Sequence, residues 1–417
     1  MIQLTLSRGY LSVSIAEVIA AAGVSRRTFY EHFAHKDECL LAAVAEIQEA
    51  LLSDLRGGMA AASPQDALAV AIDALIALAG IDDGSGRLWL IEAVSGGTRL
   101  LDARDHTITA IGRMLEERYA IAPRDTPLPD VSARMLVGGV CRLLAWRLQS
   151  GEASLGDARE DLIGWTRHYE RAVGEHRWRS LQPARIPDGP NLSPPLRPPI
   201  AIPREGSRSS RAELEHNQRQ RVLFAGAQIA ERGGYASATI AEITSLAGID
   251  ARAFRRLFAT KQDVFAAVHE LYFQHVLTVS ASAFAIGNSW PEQIWQAGRA
   301  FTQLVEQNPA LAHISFVEAH AAGADAMRRH QELVVAFTIF LREGFRDLAP
   351  GQHPPSPLTL EAIALTNFEI AYRQCREGAS MHLSGLISHG AYLTLAPFLG
   401  VQGADQFIDQ QLGEDPK

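Results

Sequence analysis

Arg26, Arg27, Tyr30 and His32 stand within one seven-residue stretch behind Ser25, and Arg252, Arg255 and Arg256 stand behind Asp250 in the same way. Guanidinium forks bind phosphate or the O6/N7 edge of guanine bidentately, and phenol and imidazole groups add further hydrogen bonds to a nucleic-acid backbone. The chemistry these clusters can do is recognition of duplex DNA. Lys36 and Lys261 follow each cluster and extend its charge.

A recognition surface needs a short helix held at a fixed angle, and the flanking residues spell one. Ser14-Ile-Ala-Glu17 and Thr239-Ile-Ala-Glu242 match the capping box, in which the hydroxyl accepts a backbone N–H and the Glu reaches back to the cap. Val18, Ile19 and Ala22, with Ile243, Leu246 and Ala247 in the second stretch, give each helix a buried stripe. Gly23 and Gly248 then supply a residue free to take positive φ and stop it. Ser25 and Asp250 cap the next helix, whose pairs Phe29/Phe33 and Phe254/Phe258 bury one face and leave the arginines on the other. Each stretch therefore predicts a helix-turn-helix.

The two stretches are copies. Residues 9–36 align without gaps on 234–261 at a constant offset of 225, with 13 of 28 positions identical. A period this long exceeds any solenoid repeat, so each copy is expected to head a domain with its own core. Both segments, GYLSVSIAEVIAAAGVSRRTFYEHFAHKDECLLAAV and GGYASATIAEITSLAGIDARAFRRLFATKQDVFAAV, resemble the N-terminal DNA-binding region of the tetracycline-repressor (TetR) family. The later phrases FVEAHAAGADA and LTLAPFLG look like that family's effector-domain sequences. The resemblance implies an all-α chain of two tandem units, each a helix-turn-helix followed by a helical ligand-binding and dimerisation domain. It implies a transcription regulator, a ligand-responsive repressor, with double-stranded operator DNA and a small-molecule effector as partners. By resemblance Ser25, Arg26, Arg27, Thr28, Tyr30 and His32 fall in the first recognition helix, with Lys36 near a phosphate. The second copy carries Ala253, Arg255 and Leu257 where the first has Thr28, Tyr30 and His32, so the two faces should read unlike half-sites.

The expected divisions are a first DNA-binding region at 1–48, a helical domain at 49–180, a Pro-rich linker at 181–211, a second DNA-binding region at 212–275 and a second helical domain at 276–417. The linker, LQPARIPDGPNLSPPLRPPIAIPREGSRSSR, extends up to ~95 Å at polyproline rise, enough to join two units lying side by side. Covalent fusion then favours an intramolecular pseudo-dimer over a homodimer with four motifs. Asn217 to Arg232 supplies a full bracing helix before the second motif, whereas Met1 to Ser7 offers little more than one turn before the first. That shortening and the altered second recognition helix motivate the alternative, a ligand-binding or scaffold protein of the same fold with one or both motifs inactive.

Composition narrows the remaining classes. With 417 residues, 47% hydrophobic and net charge −8, the chain is no polycation, so DNA contact must come from the local basic excess of the motifs. No apolar run reaches a membrane span and no signal-peptide pattern opens the chain, which together with three scattered cysteines points to a reducing cytoplasm. His313, Glu318 and His320 lie close in sequence but not on one helical face, and Ser388-His389 lacks the G-x-S-x-G elbow. No metal site, cofactor or catalytic residue is expected. Trp89, Trp146, Phe301, Phe316, Phe337 and Tyr372 suit a pocket as well as a core.

Overall fold

The computed structural model describes residues 1–80, 84–93, 97–151, 158–193, 196–199, 210–318, 324–377 and 382–413. It is helical almost throughout. The first repeat supplies α1 (Ile2–Arg8), α2 (Ile15–Ala22), α3 (Arg26–His32), α4 (Lys36–Ala61), α5 (Ala67–Ala79), α6 (Thr98–Ala120), α7 (Ala133–Ser150) and α8 (Ala158–Arg167), with a π-type turn at Leu88–Glu92. The second supplies α9 (Arg211–Ser237), α10 (Ile240–Ala247), α11 (Ala251–Leu257), α12 (Lys261–Phe284), α13 (Trp290–Gln307), α14 (Pro309–Phe316), α15 (Ala324–Ala336), α16 (Thr338–Arg342), α17 (Pro357–Glu377) and α18 (Ile387–Leu412). Two three-residue strands, β1 (Pro127–Pro129) and β2 (Glu170–Ala172), pair antiparallel with Leu128 opposite Arg171. None of the described helices is long and apolar enough to cross a membrane.

The chain forms two compact units that do not follow its order. The first comprises 1–182, 323–370 and 388–417, and the second 183–322 and 371–387. The sequence division placed 276–417 in one domain; in the structure its last two helices are shared, with most of α17 and nearly all of α18 in the first unit. In that unit α4 buries Leu40, Val44, Ile47, Leu51, Leu55 and Met59, a stripe at three- and four-residue spacing that faces the core. Helix α7 is buried on every side from Met135 to Ala145, as a helix enclosed by neighbours must be. Trp146 is only half-buried, whereas Trp89 is fully enclosed.

The second unit is built on α12, α13 and α14, with Tyr272, Phe273 and Phe316 in edge and tilted ring contacts. Within the Pro-rich segment, residues 181–193 and 196–199 are neither helix nor strand, yet they are docked. Ala184 N donates to Gly385 O (2.7 Å), Leu192 N to Gln303 Oε1 (3.0 Å) and Leu196 N to Asn308 Oδ1 (2.8 Å). Proline leaves few N–H groups in such a segment, and these are satisfied by side-chain amides of α13 and its C-terminal cap and by the Gly385 carbonyl.

One pH effect follows from the first unit's core. The Nε2–H of His389 donates to Ser180 O (2.9 Å), the ring meets Trp178 edge-on, and burial holds its pKa below the ordinary value. A depressed folded pKa means that the unfolded chain takes up the proton first, so stability declines as pH falls below the unfolded value. Thermal midpoints from about pH 7 to about pH 5 should therefore fall less steeply for His389→Gln than for the parent. Equal slopes would show that His389 is not a source of the acid sensitivity.

Candidate nucleic-acid interface

Both stretches form capped helices around a glycine turn, although Ala22 and Leu246, expected in the buried stripes, are exposed. Ser14 Oγ accepts from Glu17 N (3.3 Å) while Glu17 Oε2 accepts from Ser14 N (2.9 Å), and Thr239 with Glu242 repeats this at 3.2 and 3.0 Å. Gly23 (φ 66°, ψ 26°) and Gly248 (φ 69°, ψ 37°) end α2 and α10 in the left-handed region. Gly9 and Gly234, with φ of 76° and 78°, break the chain before each motif, and a side chain at either would be strained. Ser25 accepts from Thr28 N (3.0 Å) and Asp250 from Ala253 N (2.6 Å), so α3 and α11 begin on equivalent caps.

Packing turns the recognition helices. Phe29 (4% exposed) and Phe254 (1%) anchor α3 and α11, which leaves Arg26, Arg27, Tyr30 and His32 exposed on one and Arg252, Arg255 and Arg256 on the other. Arg27 Nε bonds Glu31 Oε1 at 2.9 Å, a surface pair worth only tenths of a kcal/mol that phosphate can displace. At the place of Glu31 the second helix has Arg256, so its face is the more positive. Ala253 is buried and Thr28 half-buried against its cap, so neither projects as Tyr30 does.

Ser14, Thr239, Ser25 and Asp250 thus act first as caps. Lys36 and Lys261 also turn inward. Lys36 Nζ bonds Val13 O (3.1 Å) and sits over the Tyr10 ring, and Lys261 Nζ bonds Ala238 O (3.0 Å), the residue equivalent to Val13. These bonds brace the start of each motif against the helix that follows it. The same offset of 225 that revealed the repeat contained this signal, because a lysine retained with its carbonyl partner at fixed spacing need not face solvent.

The first motif is also better supported than its short α1 suggests. Met1 and Leu4 pack on the buried cluster Val13, Val18 and Phe29, Tyr10 N donates to Glu92 Oε2 (3.2 Å), and Tyr10 OH donates to Asp37. Glu92 lies far from the motif in sequence, and no local pattern marked it. In the second motif Arg221 Nε donates to Ala247 O (2.7 Å), closing the C-terminus of α10, and its NH1 to Pro199 O (3.0 Å). Arg219 covers the Phe258 ring. Both arginines thus take part in packing the second motif.

The other candidates resolve differently. His313 Nε2 lies 3.4 Å from Glu318 Oε1, His320 falls outside the described residues, and among the described residues no three metal-ligating side chains converge. Ser388 is fully buried beside His389, whose Nε2 is already engaged by Ser180.

Comparison with known proteins agrees with the geometry of the first motif. Residues 2–43 match the family model for bacterial regulatory proteins, tetR family. Over 75 residues, 18% of this chain and 33% of the relative, the sequence is 33% identical to the HTH-type transcriptional regulator TcmR of Streptomyces glaucescens. The chain thus spans one third of the length of that curated relative. The crystal structure of a "Putative TetR-family transcriptional regulator" from Syntrophomonas wolfei str. Goettingen aligns with 48% of this chain and 92% of its own at 14% identity and a TM-score of 0.34. Residues 2–43 thus combine capped helices and a left-handed glycine turn with a match to the model of bacterial regulatory proteins, tetR family.

Proposed function

We propose that this protein is a DNA-binding transcription regulator of tetR type in which two fused halves stand in for the two subunits of a dimer. The observation that carries the reading is one motif geometry formed twice at a fixed offset, with an exposed basic helix each time. On this reading the two recognition helices enter successive major grooves about 34 Å apart. The pairing of the halves is supported by α7, from the first half, lying against α17, from the second, within one compact unit.

Effector-responsive repression belongs to the same proposal. Buried polar groups without a hydrogen-bond partner are rare in folded proteins, and each helical core holds some. Gln48 Nε2 and Trp89 Nε1 in the first unit, and Tyr272 OH and Ser315 Oγ in the second, are of this kind. These are the groups a polar small molecule would satisfy.

Selection of bound duplexes from a random pool by the full-length protein tests the reading. The expected product is a site with two unlike half-sites, because Tyr30 and His32 meet bases where Arg255 and Leu257 do in the other half. Replacing Arg255 and Arg256 together by Ala should weaken binding and reduce the slope of log affinity against log salt by about 1 for each of the two charges that neutralises a phosphate. A perfectly palindromic site, or an unchanged slope, would overturn the role of the second motif.

A further inference from the structure

Among the described residues, four arginines of the first half meet four carboxylates of the second inside the first compact unit, with the cation on the same side in these four pairs. Arg142 donates to Glu369, with side chains 4% and 2% exposed. Arg147 NH2 lies 3.0 Å from Glu361 Oε2. Arg171 NH2 lies 2.6 Å from Asp405 Oδ2, and Arg177 NH2 2.6 Å from Asp409 Oδ1. Shape is equally one-sided. A methyl group on Gly138 would stand 2.8 Å from Glu369 Cγ, and one on Gly139 would overlap the Thr366 hydroxyl. The first half thus contributes cations and a glycine groove, and the second anions and the side chains that fill it.

A symmetric joint would show each feature twice. Helices α7 and α17 occupy equivalent places at an offset of 225, and the phrases Ala145-Trp146-Arg147 and Ala371-Tyr372-Arg373 align them at 226. At either offset the counterpart of Arg142 is Asn367 or Phe368, and that of Glu369 is Leu144 or Leu143. The counterpart of Glu361 is Leu136 or Met135, and that of Arg147 is Tyr372 or Arg373. In place of Gly138 and Gly139 the second half carries Ile363 and Ala364, or Ala364 and Leu365.

Pairing the first half with another first half would therefore set Arg142 against leucine, a buried cation without an anion. Pairing second with second would set Glu369 against Asn367 or Phe368 and place β-carbons where the close approach needs glycine. A buried charge deprived of its partner is strongly unfavourable, and a two-fold axis would impose it twice. We infer that this joint accepts only a first half against a second half, so that the chain's dimer-like surface is closed to its own kind and each molecule presents two DNA-binding motifs, never four. The inference rests on the two-half reading above and adds the partner rule that enforces it.

Charge exchange in the full-length protein tests the rule without DNA. Arg142→Glu and Glu369→Arg should each lower the thermal midpoint by about 10 °C, and the two together in one chain should regain at least half of that loss. In trans, the Arg142→Glu chain unfolded and refolded with the Glu369→Arg chain should give a particle of twice the 45.4 kDa chain mass by light scattering, since each chain then offers what the other lacks. Should either single variant fail to fold, the less buried exchange Arg147→Glu with Glu361→Arg decides alone by the same pattern of loss and recovery. Additive losses in the exchanged chain, or no two-chain particle on mixing, would overturn the rule. A chain that obeys the cycle yet selects no DNA would sink the regulator reading and leave the joint standing.

Discussion

Asp405→Ala is expected to remove about 3–5 kcal/mol from the stability of the first compact unit, the cost of stripping a buried cation, Arg171, of its nearest anion. Asp405 lies in α18 and accepts from Arg171 NH2 and, at 2.7 Å, from Trp178 Nε1, with Arg177 NH1 at 3.7 Å. Without it Arg171, whose side chain is 9% exposed, keeps the Asp130 carboxylate at 3.4 Å and long contacts to neutral oxygens, Val401 O at 3.4 Å and Tyr392 OH at 3.5 Å. Asp130 cannot compensate. It is fully buried and already accepts from the backbone N–H groups of Arg177 and Trp178, and burial, acting against those bonds and the nearby Arg171, raises its pKa above the ordinary carboxylate value. Asp405→Asn keeps an acceptor for the indole and should lose less, by about 1–2 kcal/mol. Urea unfolding checks both through a lower midpoint at unchanged slope. An Ala variant within 1 kcal/mol of the parent would mean that water reaches the arginines and the cluster is not a buried network.

Phe29→Ala is expected to melt the first DNA-binding motif while leaving the helical core in place. Truncating a buried phenylalanine costs about 3–5 kcal/mol, and only Val13, Val18 and Phe29 are fully buried in this cluster, with Met1, Leu4, Ile15, Ile19, Phe33 and Cys39 at its edge. A cluster that small has little stability in reserve, so the loss falls locally rather than on the whole unit. Hydrogen exchange should show residues 2–33 exchanging at near-unfolded rates while the amides of α7 stay protected. Binding should survive only at the half-site of the second motif. Unchanged protection in α2 and α3 would show that Glu92, Asp37 and Lys36 hold the motif without its aromatic anchor.

The motifs were legible because everything that builds them is local. Ser14 finds Glu17 three residues on, Gly23 and Gly248 stop their helices, and Phe29 and Phe33 share a face; caps, turns and periodicity all act within one or two helical turns. Glu92 beneath Tyr10, Arg221 on Ala247 and the carboxylates of α17 and α18 facing first-half arginines were not legible, because each contact joins residues that only the fold brings together. Lys36 and Lys261 show a different limit. Their retention was read as a need for charge at a phosphate, although a buried carbonyl makes the same demand on a lysine. The stretch around Leu192 and Leu196 was legible as irregular but not as docked, since the amides of Gln303 and Asn308 that hold it lie a hundred residues away.

The braces and caps of the two motifs are the same, while the side chains they display are not, and this changes how such a protein can evolve. In a homodimer every substitution is made twice, so a change in one half-site of an operator cannot be followed without spoiling the fit to the other. Here Tyr30 can vary while Arg255 stays. The glycines, capping boxes and inward lysines form a chassis common to both halves, and on the proposed reading drift in an asymmetric promoter can be tracked one half at a time.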